Sequence, residues 1–549
     1  MSPYEHGEVF VLDDGGEADL DLGNYERFMN VNLTKEHNIT TGKIYSRVIE
    51  KERRGDYLGK TVQVVPHVTD ALQDWIERVA QIPVEDSKSK PEVCLIELGG
   101  TVGDIESMVF LEALRQFRFR VGEGNFCHVH VSLVPVVHSV GQQKTKPTQH
   151  GIMTLRSTGH APDIIACRAT KPLARETRNK IALSCMVPAS HVVSVHDVKN
   201  IYHVPLLLRK QRVPELILES LKINKMPAES LPKWSAMVLR EDQATKTCRI
   251  AVVGKYTGLS DSYLSVIKAL QHAANHCKLK LKIVWVESME LEQPHGATTP
   301  SFESVSPGIS PERPSPARPP KSERHKKAWD SLKSCQGILI PGGFGSRGVQ
   351  GKILAVQYAR RNQIPFFGIC LGMQVAVIEF ARHVCALEDS NSTEFDQHPE
   401  HPVVIFMPEG SKTHLGGTMR LGLRKTVIQK GSLGNKLYGK TEVNERHRHR
   451  YEVNPDYVKQ LEEAGLKFTG KSVDGQRMEI TELKSEHPFF IGVQYHPEFK
   501  SRPMYPHPIF LGFIRESSKR QLGKKVPNPQ AIKKLVLDTS YEKPDDTKS

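Results

Sequence analysis

The chain has 549 residues, 38% of them hydrophobic and 25% charged, a composition that suits a globular protein of several domains. Of its net charge of +13, residues 294–327 hold net +3 and residues 501–549 net +5. With no basic face interleaved with aromatics, this argues against nucleic-acid binding. No apolar run approaches the length of a membrane span, Met1–Phe10 does not read as a signal peptide, and nine scattered cysteines without a Cys-x-x-Cys pair argue against a zinc site and for a reducing, cytoplasmic setting.

In chain order, Gly7–Arg27 packs seven acidic residues into a glycine-punctuated stretch. Asp19 and Asp21, two apart, would face the same way on an extended segment, and such hard oxygen ligands hold Mg²⁺ near phosphates. Val93–Leu98 reads as a buried strand carrying Glu97, a costly placement unless a cation compensates the carboxylate. The stretch Gly141-Gln-Gln-Lys-Thr-Lys-Pro-Thr-Gln149 puts Lys144 and Lys146 on one side of an extended segment, suited to a triphosphate. Ile164–Arg168 and Val192–Val195 read as further strands. Residues 223–247 read as a linker with a short helix around Leu231–Leu239, after which strands Ile250–Val253, Ile338–Ile340 and Pro365–Ile369 alternate with amphipathic segments. That alternation predicts doubly wound α/β architecture in both halves. Residues 294–327, with eight prolines and no apolar periodicity, are expected to be an unfolded insertion. Its Thr299-Pro, Ser306-Pro, Ser310-Pro and Ser315-Pro pairs are candidate phosphorylation sites. The lysine-rich tail from 523 is expected to be disordered.

The chemistry concentrates in Ile364-Pro-Phe-Phe-Gly-Ile-Cys-Leu-Gly-Met-Gln374 and Tyr495-His-Pro-Glu498. An apolar strand ending in Gly368-x-Cys370-x-Gly372 has the form of a nucleophile elbow, with glycines where the sharp turn crowds the backbone. A helix N-terminus behind Cys370 favours a thiolate. His496 can take the thiol proton and Glu498 can orient the imidazole. In Ile338-Leu-Ile-Pro-Gly-Gly-Phe-Gly-Ser-Arg-Gly348 a strand runs into a glycine-rich turn whose amides can face an oxyanion.

These motifs, over residues 248 to 522, resemble the class I glutamine amidotransferase domain, which releases ammonia from glutamine. Together with Ser2-Pro-Tyr-Glu-His-Gly-Glu-Val-Phe-Val11, Gly99-Gly-Thr-Val-Gly-Asp-Ile-Glu-Ser107, Lys144-Thr-Lys-Pro-Thr-Gln149, Asn391-Ser-Thr-Glu-Phe395, Leu415–Gly422 and Glu445-Arg-His-Arg-His-Arg-Tyr451, they resemble the CTP synthase family. The resemblance implies an N-terminal P-loop-type synthase (amidoligase) domain over 1–222, the linker 223–247 and an amidotransferase domain over 248–522. It implies Cys370, His496 and Glu498 as the triad, and Gly343, Leu371, Gly372, Met373, Gln374, Glu394 and Arg450 on glutamine. It further implies Asp104, Ile105, Glu106, Lys144, Thr145, Lys146, Gln149 and Lys180 on UTP or inhibitory CTP, and Arg168 and the His196-Asp-Val198 turn on ATP. Asp21 and Glu97 would hold Mg²⁺, His6 and His67 would lie near the synthase site, and Leu415–Gly422 would close over glutamine under GTP control. Homotetramers and filaments are implied as well.

The family opens with a strand, a glycine-rich phosphate loop and a helix ahead of its Ser-Pro-x-x-His-Gly motif, whereas the sequence given starts on that motif and has no other Gly-x-x-x-x-Gly-Lys-Ser/Thr string. On this ground pyrimidine triphosphate binding is expected to be weakened and ATP-dependent CTP formation to be undetectable. Two alternatives follow, a glutaminase alone or a regulatory, non-catalytic subunit that co-assembles with complete chains.

Overall fold

The computed structural model describes residues 7–84, 89–137, 141–225, 231–255, 257–293, 320–407, 419–483 and 487–521. The expectations for His6, for the insertion as far as residue 319, for residues 415–418 and for the tail lie outside them.

Contacts divide the chain into two compact units, Glu36–Leu239 and the combination of Met1–Lys35 with Arg240–Ser549. The N-terminal stretch thus goes with the C-terminal half. The reason is local and apolar: Phe10, Val11, Leu12 and Leu22 bury themselves with Phe499, and Leu421 packs against them. Around that cluster Arg446, fully buried, pairs with Glu26 at 2.8 Å and with Asp13, while Arg502 reaches the same Glu26 at 3.0 Å.

The larger unit is built on a nine-stranded sheet. Its order is Glu442–His449, Arg420–Ile428, Leu466–Ser472, Met478–Leu483, Phe490–Val493, Phe366–Ile369, Gly337–Ile340, Thr247–Gly254, Lys280–Glu287. The last five run parallel and the remaining pairings are antiparallel. Alternate residues of the parallel strands enter two different cores: Ala251, Val253, Ile338, Ile340 and Phe366 one, Ile250, Val252, Leu339, Phe367 and Ile369 the other. Continuous apolar strands of this kind demand helices on both faces. Lys321–Lys333, Val349–Arg361 and Leu371–His383 cover the first face, and Leu264–His276 and Pro508–Lys519 the second. Helix Lys321–Lys333 takes up residues 321–327 of the proline-rich stretch, because Pro320 precedes its first turn and Trp329 anchors it by donating to the Leu291 carbonyl at 3.1 Å.

The smaller unit holds the parallel sheet Val129–Leu133, Ile164–Ala169, Val192–His196, with helices Ile105–Val121, Lys146–Ser157 and Arg175–Cys185 contributing to its core. The strand expected over Val93–Leu98 does not form: the stretch is irregular and mostly exposed, Leu95 at 75%, because no strand among the described residues pairs with it. Two further local expectations are corrected. Asp19 and Asp21 do not lie on an extended segment; Asp19 caps helix Leu20–Met29 by accepting from the Leu20 N–H, and Asp21 sits in its first turn, where the helix dipole favours an acid. Lys144 and Lys146 do not alternate along a strand either, since Lys146 opens helix Lys146–Ser157 with Pro147 in the first turn. The linker helix runs Pro232–Gln243.

Candidate active site

Strand Phe366–Ile369 stops at Cys370, which takes φ +52°, ψ −103°, and helix Leu371–His383 starts at the next residue. A non-glycine residue in that region is strained, and the strain is held by the Cys370 N–H donating to the Val493 carbonyl at 2.7 Å. The flanking glycines are required by contact. A Cβ on Gly368 would lie 2.5 Å from the Gly372 carbonyl oxygen, and one on Gly372 only 2.1 Å from that of Ile340. The elbow expected from the spacing is therefore present.

The strand Phe490–Val493 lies beside this elbow in register, Gly368 opposite Gly492. It runs on to Tyr495 and His496, whose N–H donates to the Arg446 carbonyl at 2.8 Å. His496 Nδ1 is 2.8 Å from Glu498 Oε1. Burial alone pushes the imidazole pKa down, but the Glu498 carboxylate and the Cys370 sulfur override it and hold it up at about 10. The ring stacks on Phe499 with centroids 5.3 Å apart. Opposite, strand Gly337–Ile340 feeds the turn Pro341–Gly348, which packs so close that a Cβ on Gly342 would lie 2.7 Å from His496 Cε1 and 3.5 Å from Cys370 Cβ. Cysteine, imidazole, carboxylate and a glycine turn thus converge at the C-terminal ends of parallel strands, where doubly wound sheets build their sites.

Of the other residues expected on glutamine, Leu371 and Gly372 form the first turn behind Cys370. Met373 is a core residue, packed against Gly492. Gln374 donates to the Tyr451 carbonyl at 2.9 Å and to Gln494 at 3.3 Å. Glu394 accepts from the Gly345 N–H at 2.7 Å, and burial raises its carboxyl pKa against the pull of that bond and of Lys255. The Arg450 guanidinium lies 5.9 Å from the Phe344 ring centroid. Two neighbours escaped the sequence reading. Gln494 donates to Cys370 Sγ at 3.6 Å, and Lys255 stands under the glycine turn. Lys255 had one signal, a lone lysine at the end of an apolar parallel strand.

In the smaller unit, Asp104 precedes helix Ile105–Val121 without capping it, and Ile105 and Glu106 are exposed beside it. Lys144, Lys146 and Lys180 are exposed; Lys144 Nζ donates to Gln142 at 2.7 Å, and Gln149 to Thr145 Oγ1 at 3.1 Å. Arg168 lies one residue before the end of its strand, donating to the Val195 carbonyl and pairing with Asp197 at 3.0 Å beside half-buried Val198. His67 Nδ1 accepts from the Gln63 N–H. Asp21, which belongs to the larger unit, has its carboxyl pKa raised by partial burial and by Asp19 and Asp261, a setting that a divalent cation would relieve, so it fits one ligand of an Mg²⁺ ion. Glu97 is exposed, and among the described residues no group of three or more His, Cys, Asp or Glu is placed to hold a metal on its own. No helix among the described residues is long and apolar enough to cross a membrane.

Residues 1–223 match the family model described as CTP synthase N-terminus, and residues 259–516 match glutamine amidotransferase class-I. The chain is similar to human CTP synthase 1, 54% identical over 521 residues that cover 94% of this chain and 84% of that protein. It is equally similar to the CTP synthase of Dictyostelium discoideum, 54% identical over 541 residues, covering 95% and 91%. CTP synthase 2 of Xenopus laevis is 52% identical over 522 residues, covering 94% and 86%. Identity that runs through both halves does not support the alternatives of a glutaminase alone or a non-catalytic subunit. The chain belongs to the CTP synthase family, ATP-using ligases that draw their nitrogen from glutamine.

Proposed function

We propose that Cys370, His496 and Glu498 release the ammonia for this ligase. His496 takes the Cys370 proton and Glu498 orients the ring. The sulfur attacks the glutamine γ-carbonyl, whose oxyanion is met by the Gly343 and Leu371 amides. His496 returns the proton to the leaving nitrogen, ammonia departs, and water cleaves the glutamyl thioester to glutamate. The observation that carries this reading is the 2.8 Å His496–Glu498 contact beside a cysteine held at φ +52°. Glu394 and Arg450 bind the amino and carboxylate ends of glutamine, and Gly372, Met373 and Gln374 shape the pocket.

In the smaller unit Asp104, Ile105, Glu106, Lys144, Thr145, Lys146, Gln149 and Lys180 receive UTP, or CTP as inhibitor, and Arg168 and Val198 face ATP. Ammonia displaces the phosphate from a UTP activated at O4. Glu97 in this unit, and Asp21 in the larger unit, are each proposed as a carboxylate for Mg²⁺, whose charge would neutralise nucleotide phosphates. GTP activation through residues 415–422, homotetramers and filaments, and a cytoplasmic location complete the reading. Its domain limits are 1–222, 223–247 and 248–522. The test is glutamate release from glutamine by Cys370→Ala: none is expected, and retained release overturns the assignment.

A further inference from the structure

A group of charged side chains lies behind the glycine turn, and the triad does not account for it. Lys255 follows strand Thr247–Gly254 and is 1% exposed. Its side chain runs along the back of Gly343: a Cβ there would lie 3.2 Å from Lys255 Cε and 4.0 Å from its Nζ. The ammonium donates to the Phe344 carbonyl and, at 2.7 Å, to the Gly345 carbonyl. On the other side of the Phe344–Gly345 peptide, the Gly345 N–H donates to Glu394 Oε1 at 2.7 Å. One peptide plane is therefore gripped at both ends, a cation on its oxygen and a carboxylate on its N–H. Arg347 donates in turn to the Lys255 carbonyl, tying the far end of the turn to the same strand end.

Burial makes this arrangement expensive. It pushes the Lys255 ammonium down to about 8, and that of fully buried Lys352, which Lys255 also opposes, to about 7. A buried cation kept at such cost needs a reason beyond filling space. Glycine-rich backbone is free to rotate its peptide planes, so an amide donor on it is only as well aimed as its neighbours are fixed.

We propose that Lys255 is a positioning residue for the glutaminase step: by holding the Phe344 and Gly345 carbonyls it keeps the Gly343 N–H aimed at the oxyanion. This inference rests on the reading of Cys370 as nucleophile. Lys255 touches no reacting atom; its effect reaches the transition state through the turn.

The experiment compares Lys255→Met, Lys255→Gln and Cys370→Ala in the full chain. Three readouts are taken: steady-state glutamine hydrolysis, the rate of Cys370 alkylation by iodoacetamide followed by peptide mapping, and near-UV circular dichroism. Lys255→Met should lower kcat roughly 100- to 1,000-fold, the scale of one lost oxyanion donor. KM for glutamine should stay within about threefold and the alkylation rate within about twofold, because displacement of iodide by sulfur builds no oxyanion. Lys255→Gln, which keeps a donor of shorter reach, should fall between Lys255→Met and the parent chain. An unchanged kcat in Lys255→Met, with Cys370→Ala inactive, would overturn the positioning role and leave the nucleophile standing. A rise in KM alone, or alkylation slowed in step with kcat, would also overturn it. So would loss of the near-UV signal in both lysine variants, which would make Lys255 structural only. Hydrolysis surviving in Cys370→Ala would instead remove the reading on which the inference rests.

Discussion

Replacing Gly372 by alanine adds a single methyl at the most crowded point of the elbow. The new Cβ would lie 2.1 Å from the Ile340 carbonyl oxygen and 3.1 Å from its carbon. Neither partner can yield cheaply. Ile340 is fully buried in a strand paired to Phe366–Ile369, and Gly372 belongs to a helix buried along most of its length. Relief requires the helix N-terminus to retreat by roughly 1 Å, and overpacking of this kind costs about 1–3 kcal/mol, here at the upper end because backbone meets backbone. At about 2–4 °C per kcal/mol for a domain of this size, the thermal midpoint should fall by roughly 6–12 °C. The same retreat carries the Leu371 amide away from the oxyanion, and a 1 Å misplacement costs about 100-fold in rate. Gly42→Ala is the control: its Cβ meets nothing within 4 Å in the first turn of helix Thr41–Arg53, so it should be neutral or stabilise by up to about 1 kcal/mol. Differential scanning calorimetry and a glutamate-release assay read both variants. A Gly372→Ala chain that melts within 2 °C of the parent (about 0.5–1 kcal/mol) and keeps its kcat would refute the steric account of the elbow.

Arg446→Met should destabilise the larger unit by about 3 kcal/mol in urea unfolding, the low end for a broken buried pair because Arg502 still holds Glu26; a loss under about 1 kcal/mol would mean that the pair is dispensable. His496, with its pKa raised to about 10 from an ordinary 6.5, contributes stability that is fully present below pH 6.5 and lost as pH rises through 10. The stability gap between the parent and His496→Gln should therefore be flat below pH 6.5 and shrink above it, and a gap that widens with pH would contradict the assigned partners. Arg168→Ala, which removes an exposed pair with Asp197, should change stability by less than about 1 kcal/mol while raising the KM for ATP several-fold; an unchanged KM would remove Arg168 from the ATP site.

What the sequence made legible was local. The elbow was readable because a sharp strand-to-helix turn admits only glycine at the contacts that Gly368 and Gly372 make. The parallel strands were readable because burial on both faces leaves continuous apolar runs such as Ile338–Ile340. What escaped depends on partners far along the chain. Glu26 reads as one acid among seven, yet Arg446 and Arg502 enclose it from more than 400 residues away. Val93–Leu98 has strand composition, but a strand exists only by pairing, and no described strand pairs with it. Asp19 and Asp21 were read at a period of two where the residues that follow, Leu20 to Met29, form a helix and turn Asp19 into its cap. Lys255 was missed because a lone lysine signals nothing until the carbonyls it holds are known.

The most direct measurement of the central claim is peptide mapping of the chain quenched in acid during glutamine turnover. A γ-glutamyl thioester on the peptide carrying Cys370, absent from Cys370→Ala, is the expected result. Steady glutamine hydrolysis with no glutamyl adduct on Cys370, or with the adduct on another cysteine, would contradict it.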